Sequence, residues 1–137
     1  MITSASEFIR LRISSDPQEY LRAATEEAPI EVWHELIELH PDMRSWVAHN
    51  KTVPHEILVL LAQDPSAHVR HTVARKNKLS TELMLKLATD LDASVRQRVV
   101  WNKNASRVVL EKLLLDSDET IVAKARERLA ASLDKPL

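Results

Sequence analysis

The chain has 137 residues, the length of one ordinary domain, and its apolar (45%) and charged (28%) fractions place it with folded globular proteins rather than disordered ones. It has no cysteine, which excludes disulfides, thiolate metal sites and cysteine-held iron-sulfur clusters, and it has no apolar run long enough to span a bilayer. The formal net charge of −1 argues against a dedicated nucleic-acid binder, yet the charge is uneven: residues 1–42 hold three Lys/Arg against nine Asp/Glu, and residues 43–112 hold twelve against six.

In chain order, residues 1–15 predict a lone helix equivalent to the second half of a repeat, an N-terminal cap. No secretory apolar run precedes it, so a soluble, cytoplasmic protein with no membrane contact is expected. Residues 16–42 form a degenerate repeat, in which Asp16-Pro17-x-x-x-Leu21-Arg22 matches Asp64-Pro65-x-x-x-Val69-Arg70. The segments 43–68, 69–94 and 95–120 align without a gap, their starts 26 residues apart, and residues 121–137 form a C-terminal cap. A fixed period of this length signals stacked helical repeats. The expected fold is all-α: one domain, a right-handed α-solenoid of helical pairs, about ten short helices with A helices on one side and B helices on the other.

Helix A is expected to start at the column Asp16, Asp64, Asp90, Asp116. Aspartate accepts from free first-turn N–H groups, Pro17 and Pro65 suit the first helical position, and Glu19 and Glu119 stand where a capping box places its acid. The helix is expected to stop near Asn50, Asn77 and Asn102: with no glycine in the chain, Asn is the residue left that tolerates a left-handed helix end. Helix B starts at Pro54, Ser80 and Ser106. It buries the columns Ile57/Leu83/Val109, Leu58/Met84/Leu110, Leu61/Leu87/Leu113 and Ala62/Ala88/Leu114, leaving Glu35, Lys86 and Lys112 exposed. Trp33 shares a column with Leu58 and belongs to the core, whereas Trp46 is expected to be partly exposed. The pairs Asp64 with Arg70 and Asp90 with Arg96 read as a structural ladder. In the last segment Ile121, Ala125 and Leu129 form a narrow inward stripe, while Arg126 stands where Ala74 and Val100 stand earlier.

The combined pattern, D-x-x-x-x-V-R-x-x-V-A-x-N followed by P-x-E-x-L-x-x-L-A-x-D, resembles the leucine-rich repeat variant family and, more broadly, HEAT-like repeats. Met43 to Thr120 carry it fully, residues 16–42 and 121–133 weakly. The resemblance implies a solenoid that offers a binding surface, and no particular ligand. Cluster-bearing members of the family use cysteines that this chain lacks. HEAT-like repeats also build a class of alkylpurine DNA glycosylases, for whose catalytic residues no motif is found here.

No catalytic constellation is expected, and no cofactor. His34-Glu35 followed by His40 misses the zinc spacing H-E-x-x-H, and His68 with His71 lacks a third ligand. Two surfaces stand out instead. On helix B, Val59, Leu60 and Leu85 face away from the core stripe with Glu35, Glu38 and Lys86 around them, which predicts a docking surface for a protein partner; burial of these aliphatic residues against a neighbouring helix is the alternative. Along the A-to-B turns, Lys51, Arg75, Lys76, Lys78, Lys103 and Arg107 lie with Trp101, and the opposite turns carry Asp64, Asp90, Asp92, Asp116, Asp118 and Glu119. The basic edge predicts, as the alternative function, binding of DNA or RNA backbones; the helix dipole favours the same distribution of charge in any protein. The expected function is a non-catalytic scaffold, not an enzyme.

Overall fold

The structure, a computed structural model, describes residues 1–133; residues 134–137 of the expected C-terminal cap lie outside the described residues. Among the described residues there is no strand. Ten α-helices follow one another: α1 (Ala5–Ile13), α2 (Pro17–Thr25), α3 (Ile30–Leu39), α4 (Arg44–His49), α5 (His55–Leu61), α6 (Ala67–Ala74), α7 (Thr81–Leu87), α8 (Ala93–Trp101), α9 (Arg107–Leu113) and α10 (Glu119–Leu133), with a 3-10 turn, Pro41–Met43, before α4. The even-numbered helices are the A type and the odd-numbered ones the B type. No described helix is long and apolar enough to cross a membrane.

The chain divides into two compact units, residues 1–73 and residues 74 onward. In the first, α1 packs on α2 and α3, α3 on α4, and α4 on α5. Its core holds Phe8, Leu11, Trp33, Leu36, Val47, Ile57 and Leu61, with the Trp33 indole edge-on to Phe8. In the second, α7 packs on α8 and α9, and α10 on α8 and α9. Its core holds Leu83, Met84, Leu87, Val95, Val99, Val100, Val109, Leu110 and Leu113, closed by Ile121, Ala125 and Leu129 on α10. The helix-B core columns are buried as expected except Ala62 and Leu114, which are half-buried, and Arg126 is exposed.

The helix-A starts depart from expectation. Asp16 does cap α2, accepting from the Gln18 N–H at 2.9 Å. Further along, the cap falls two residues later than the expected column: Asp92 accepts from Ser94 N–H at 2.8 Å ahead of α8, and Asp118 from Thr120 N–H at 2.8 Å ahead of α10. α6 starts at Ala67, so Pro65 lies ahead of it rather than in its first turn. The expected column turns inward instead. Asp64, Asp90 and Asp116 each accept from the N–H two residues on, that of Ser66, Asp92 and Asp118, which folds the connection into a tight turn before the helix begins.

Within these turns the Asp–Arg ladder has a different register from the one expected. Arg70 and Arg96 each send a guanidinium N–H to a backbone carbonyl of their own connection, Asp64 O and Asp90 O, both at 2.7 Å. The carboxylate partner belongs to the connection that follows: Arg96 meets Asp116 at 2.8 Å, and Arg44, which aligns with Arg70 in the sequence, meets Asp64 at 3.2 Å. Arg96 thereby joins the α7–α8 and α9–α10 connections. Neither expected capping box forms either. Glu19 pairs with Arg10 at 2.6 Å and accepts from the Ser14 hydroxyl, so its carboxyl is held below the ordinary glutamate range by those bonds; no bond ties Glu119 to its cap. A near-reciprocal arrangement does exist in α1, where Ser4 Oγ accepts from Glu7 N–H and Glu7 accepts from Thr3 N–H.

The asparagines end their helices by another route than the left-handed backbone, since no described residue has positive φ. Asn50 and Asn102 both keep extended-type ψ angles, near 131° and 121°, and use their side chains. Asn50 Nδ2 donates to Ala23 O (2.8 Å) and Glu26 O (3.0 Å); Asn102 Nδ2 donates to Ala74 O (2.9 Å) and Lys76 O (2.8 Å). Both amides are buried, and each Oδ1 accepts from the N–H two residues on. A helix end leaves its last carbonyls without intrahelical partners, and these amides supply the donors from the end of the following A helix. The middle member of the column is Lys76, not Asn77, and the last is Arg128, whose guanidinium donates to Val100 O and Asn102 O at 2.8 and 2.7 Å.

Candidate functional site

The outward side of the B helices follows from the core spacing. On α5, Ile57, Leu58 and Leu61 point inward, which turns Leu60 to the opposite side, where it is 47% exposed; Val59 is half-buried. On α3, Glu35 and Glu38, one turn apart, are exposed, and neither has an ion-pair partner among the described residues. All four belong to the first unit. Leu39, at the end of α3 and 66% exposed, is a further apolar side chain there that sequence reasoning missed. Leu85 and Lys86 hold the corresponding turn of α7 in the second unit, Leu85 half-buried and Lys86 exposed.

The basic residues of the second unit sit on two connections that are tied together. Asn102 donates to Ala74 O and Lys76 O, and Asn104 Nδ2 donates to Asn77 O at 2.7 Å, so the α6–α7 and α8–α9 connections lie side by side. Arg75, Lys78 and Lys103 project from them exposed. Lys76 is half-buried and engaged, and Arg107 is paired with Glu111 at 2.9 Å. Trp101, in the last turn of α8, is 50% exposed, and the Lys124 ammonium sits 3.8 Å from the centroid of its ring. Lys51, the remaining member of the predicted basic set, is exposed in the first unit, its N–H donating to Ala24 O.

Comparison with family models, with curated proteins and with solved structures finds no match.

No group of three or more His, Cys, Asp or Glu among the described residues is placed to hold a metal ion. The displaced carboxylates are those of local hydrogen bonds: Glu26 is lowered by the Arg22 guanidinium, and Asp118 by the hydroxyl and N–H of Thr120. Ser80 caps α7 as expected, accepting from Leu83 N–H at 3.1 Å, but Ser106 makes no cap bond, and its hydroxyl is buried without a partner.

Two further features escaped sequence reasoning. Trp46, 36% exposed, carries the Arg12 guanidinium 3.6 Å above its ring, which joins α4 to α1. Leu91 (98% exposed) and Leu115 (87%) line a shallow cleft over Arg96 and Asp116 in the second unit. The signal for the leucines was present: each stands in a column that is otherwise polar or proline, Leu91 with Pro65 and Ser117, Leu115 with Gln63 and Thr89.

Proposed function

We propose that the chain is a non-catalytic scaffold of helical-pair repeats, a right-handed solenoid of the leucine-rich repeat variant and HEAT-like type, that holds a protein partner on the outward surface of its B helices. The repeat reading is supported by the 26-residue period and by a bonding pattern that recurs at it: Asn102 and Arg128 close the carbonyls one repeat back in the same way. Such arrays bind through extended surfaces rather than enclosed pockets. Nothing in the sequence requires an oxidising compartment, and a cytoplasmic setting is part of this proposal.

The observation that carries the binding reading is Leu60, a large aliphatic side chain 47% exposed on a seven-residue helix whose inward residues are fully covered. Val59 lies beside it, and the carboxylates of Glu35 and Glu38 on α3 carry uncompensated negative charge. An apolar spot with acidic residues on the preceding B helix suits a segment bearing an aliphatic anchor and Lys or Arg nearby. Leu85 and Lys86 offer the equivalent turn in the second unit. The test is affinity capture from the native extract with wild type and with a Leu60→Asp, Leu85→Asp variant whose circular dichroism and melting match. A protein bound by wild type and lost from the variant supports the surface; equal recovery by both refutes it.

A further inference from the structure

We propose that the edge of the second unit formed by the α6–α7 and α8–α9 connections binds single-stranded nucleic acid, with Arg75, Lys78 and Lys103 on the phosphates and Trp101 against a base. This goes beyond the protein-binding reading and uses none of the residues of α3 and α5.

The ordinary account of basic residues at these positions is that they compensate the negative ends of the A helices. The hydrogen bonds assign that work elsewhere. The carbonyls of Ala74 and Lys76 accept from Asn102, and those of Val100 and Asn102 accept from Arg128. Arg75, Lys78 and Lys103 take no part in closing the helix ends, and none has an ion-pair partner among the described residues. No acidic residue lies in 74–81 or 99–110, so their field is not cancelled along either connection. The cations are also held in place from below, because Asn102 and Asn104 bind one connection to the other. A row of exposed, unpaired cations on a fixed backbone matches a ligand with regularly spaced negative charge.

Trp101 narrows the class of ligand. A half-exposed indole next to Asn102 at this edge leaves flat aromatic surface on which a base stacks; Lys124, over one face of the ring, is itself paired with Glu127 at 3.3 Å and is not counted among the phosphate-binding cations. A single strand presents both groups together, unstacked bases and phosphates, whereas an acidic peptide presents only the charge.

The test is fluorescence anisotropy of labelled 20-nucleotide mixed-sequence DNA and RNA single strands titrated with the full chain at several KCl concentrations. Three phosphate contacts on a single strand give a slope of about −2 in log K against log salt, so affinity falls about 16-fold between 50 and 200 mM. Lys78→Glu with Lys103→Glu should abolish binding, and the neutral Lys78→Gln, Lys103→Gln pair should weaken it with a shallower salt slope. A control pair with the same change in net charge, Lys112→Glu with Arg126→Glu, should retain most of it. Trp101→Ala should cost roughly tenfold with the slope unchanged. No binding at 20 mM KCl overturns the proposal, as does equal loss from the control pair. Competition by poly-glutamate or anionic vesicles as effective as by the strand, with Trp101→Ala silent, also overturns it and assigns a generic polyanion surface.

Discussion

Asn102 is held by three partners that only a neutral amide satisfies together: Ala74 O and Lys76 O on its nitrogen and the Asn104 N–H on its oxygen. Truncation to alanine leaves buried carbonyls without donors and should cost about 1–3 kcal/mol. Asn102→Asp keeps the shape but points a carboxylate oxygen at two carbonyls, so its urea midpoint at neutral pH should fall below that of Asn102→Ala; a more stable Asp variant would show that the amide is not the donor. The same column shows what the sequence hides. Asparagine at a helix end without glycine suggested a backbone solution, and alignment by residue type picked Asn77 where alignment by position picks Lys76. Arg128 fills the last place with different chemistry and the same two acceptors, a likeness no residue-type comparison reveals. Acidic caps make a second residue-scale prediction. Hydrogen bonds from the Thr120 hydroxyl and N–H hold Asp118 below the ordinary aspartate range in the folded state. A lowered folded pKa contributes stability that is present above the unfolded value and lost as pH falls through the folded one. Melting temperature should drop on acidification below the ordinary carboxylate range, and Thr120→Val should make that drop smaller. An unchanged acid limb in Thr120→Val would remove Asp118 from the account.

At the scale of the helix, the inward face was legible because four columns repeat at i, i+1, i+4 and i+5, and apolar side chains at that spacing have one way to be buried together. Leu87 and Lys86 stand next to each other on α7, the first 2% exposed and the second exposed. Leu87→Ala should cost about 2–5 kcal/mol in a denaturant titration, as core truncations do, and Lys86→Ala should stay within about 0.5 kcal/mol. Equal effects would mean that α7 is rotated from the orientation described. Helix starts were less legible. Aspartate suits both a cap and the turn that precedes one, and composition does not distinguish them; Asp116 and Asp118 differ only in that the first also meets an arginine. The ladder was read one repeat out of register for a related reason. Sequence proximity favours Asp90 with Arg96, but that arginine reaches the backbone of its own turn with one nitrogen, which leaves the others to meet Asp116 twenty residues on.

For the whole molecule, the period, the all-helical class and the uneven charge could be read directly, since they depend on local pattern. The candidate surfaces could be read only as lists of residues, because their meaning turns on which cations are already engaged. Arg107 and Lys76 are engaged, Arg75, Lys78 and Lys103 are not, and no spacing rule separates the two groups. Charge follows the division of the chain: residues 1–73 hold six Lys/Arg against eleven Asp/Glu, and residues 74–137 hold thirteen against nine. The proposed repeat architecture makes its own thermodynamic claim. In a nearest-neighbour stack each repeat draws stability from its own core and the layers beside it, whereas a closed bundle loses stability throughout when any part of its core is truncated. Leu36, fully buried on α3, is the probe. Leu36→Ala should speed amide hydrogen exchange in α1 to α4 and leave the slowest amides of α9 and α10 at wild-type protection. Leu110→Ala, on α9, should do the reverse. If either variant lowers protection uniformly along the chain, the helices unfold as one cooperative body, and the stack of independent layers proposed here is the wrong description of how 26-residue units share their stability.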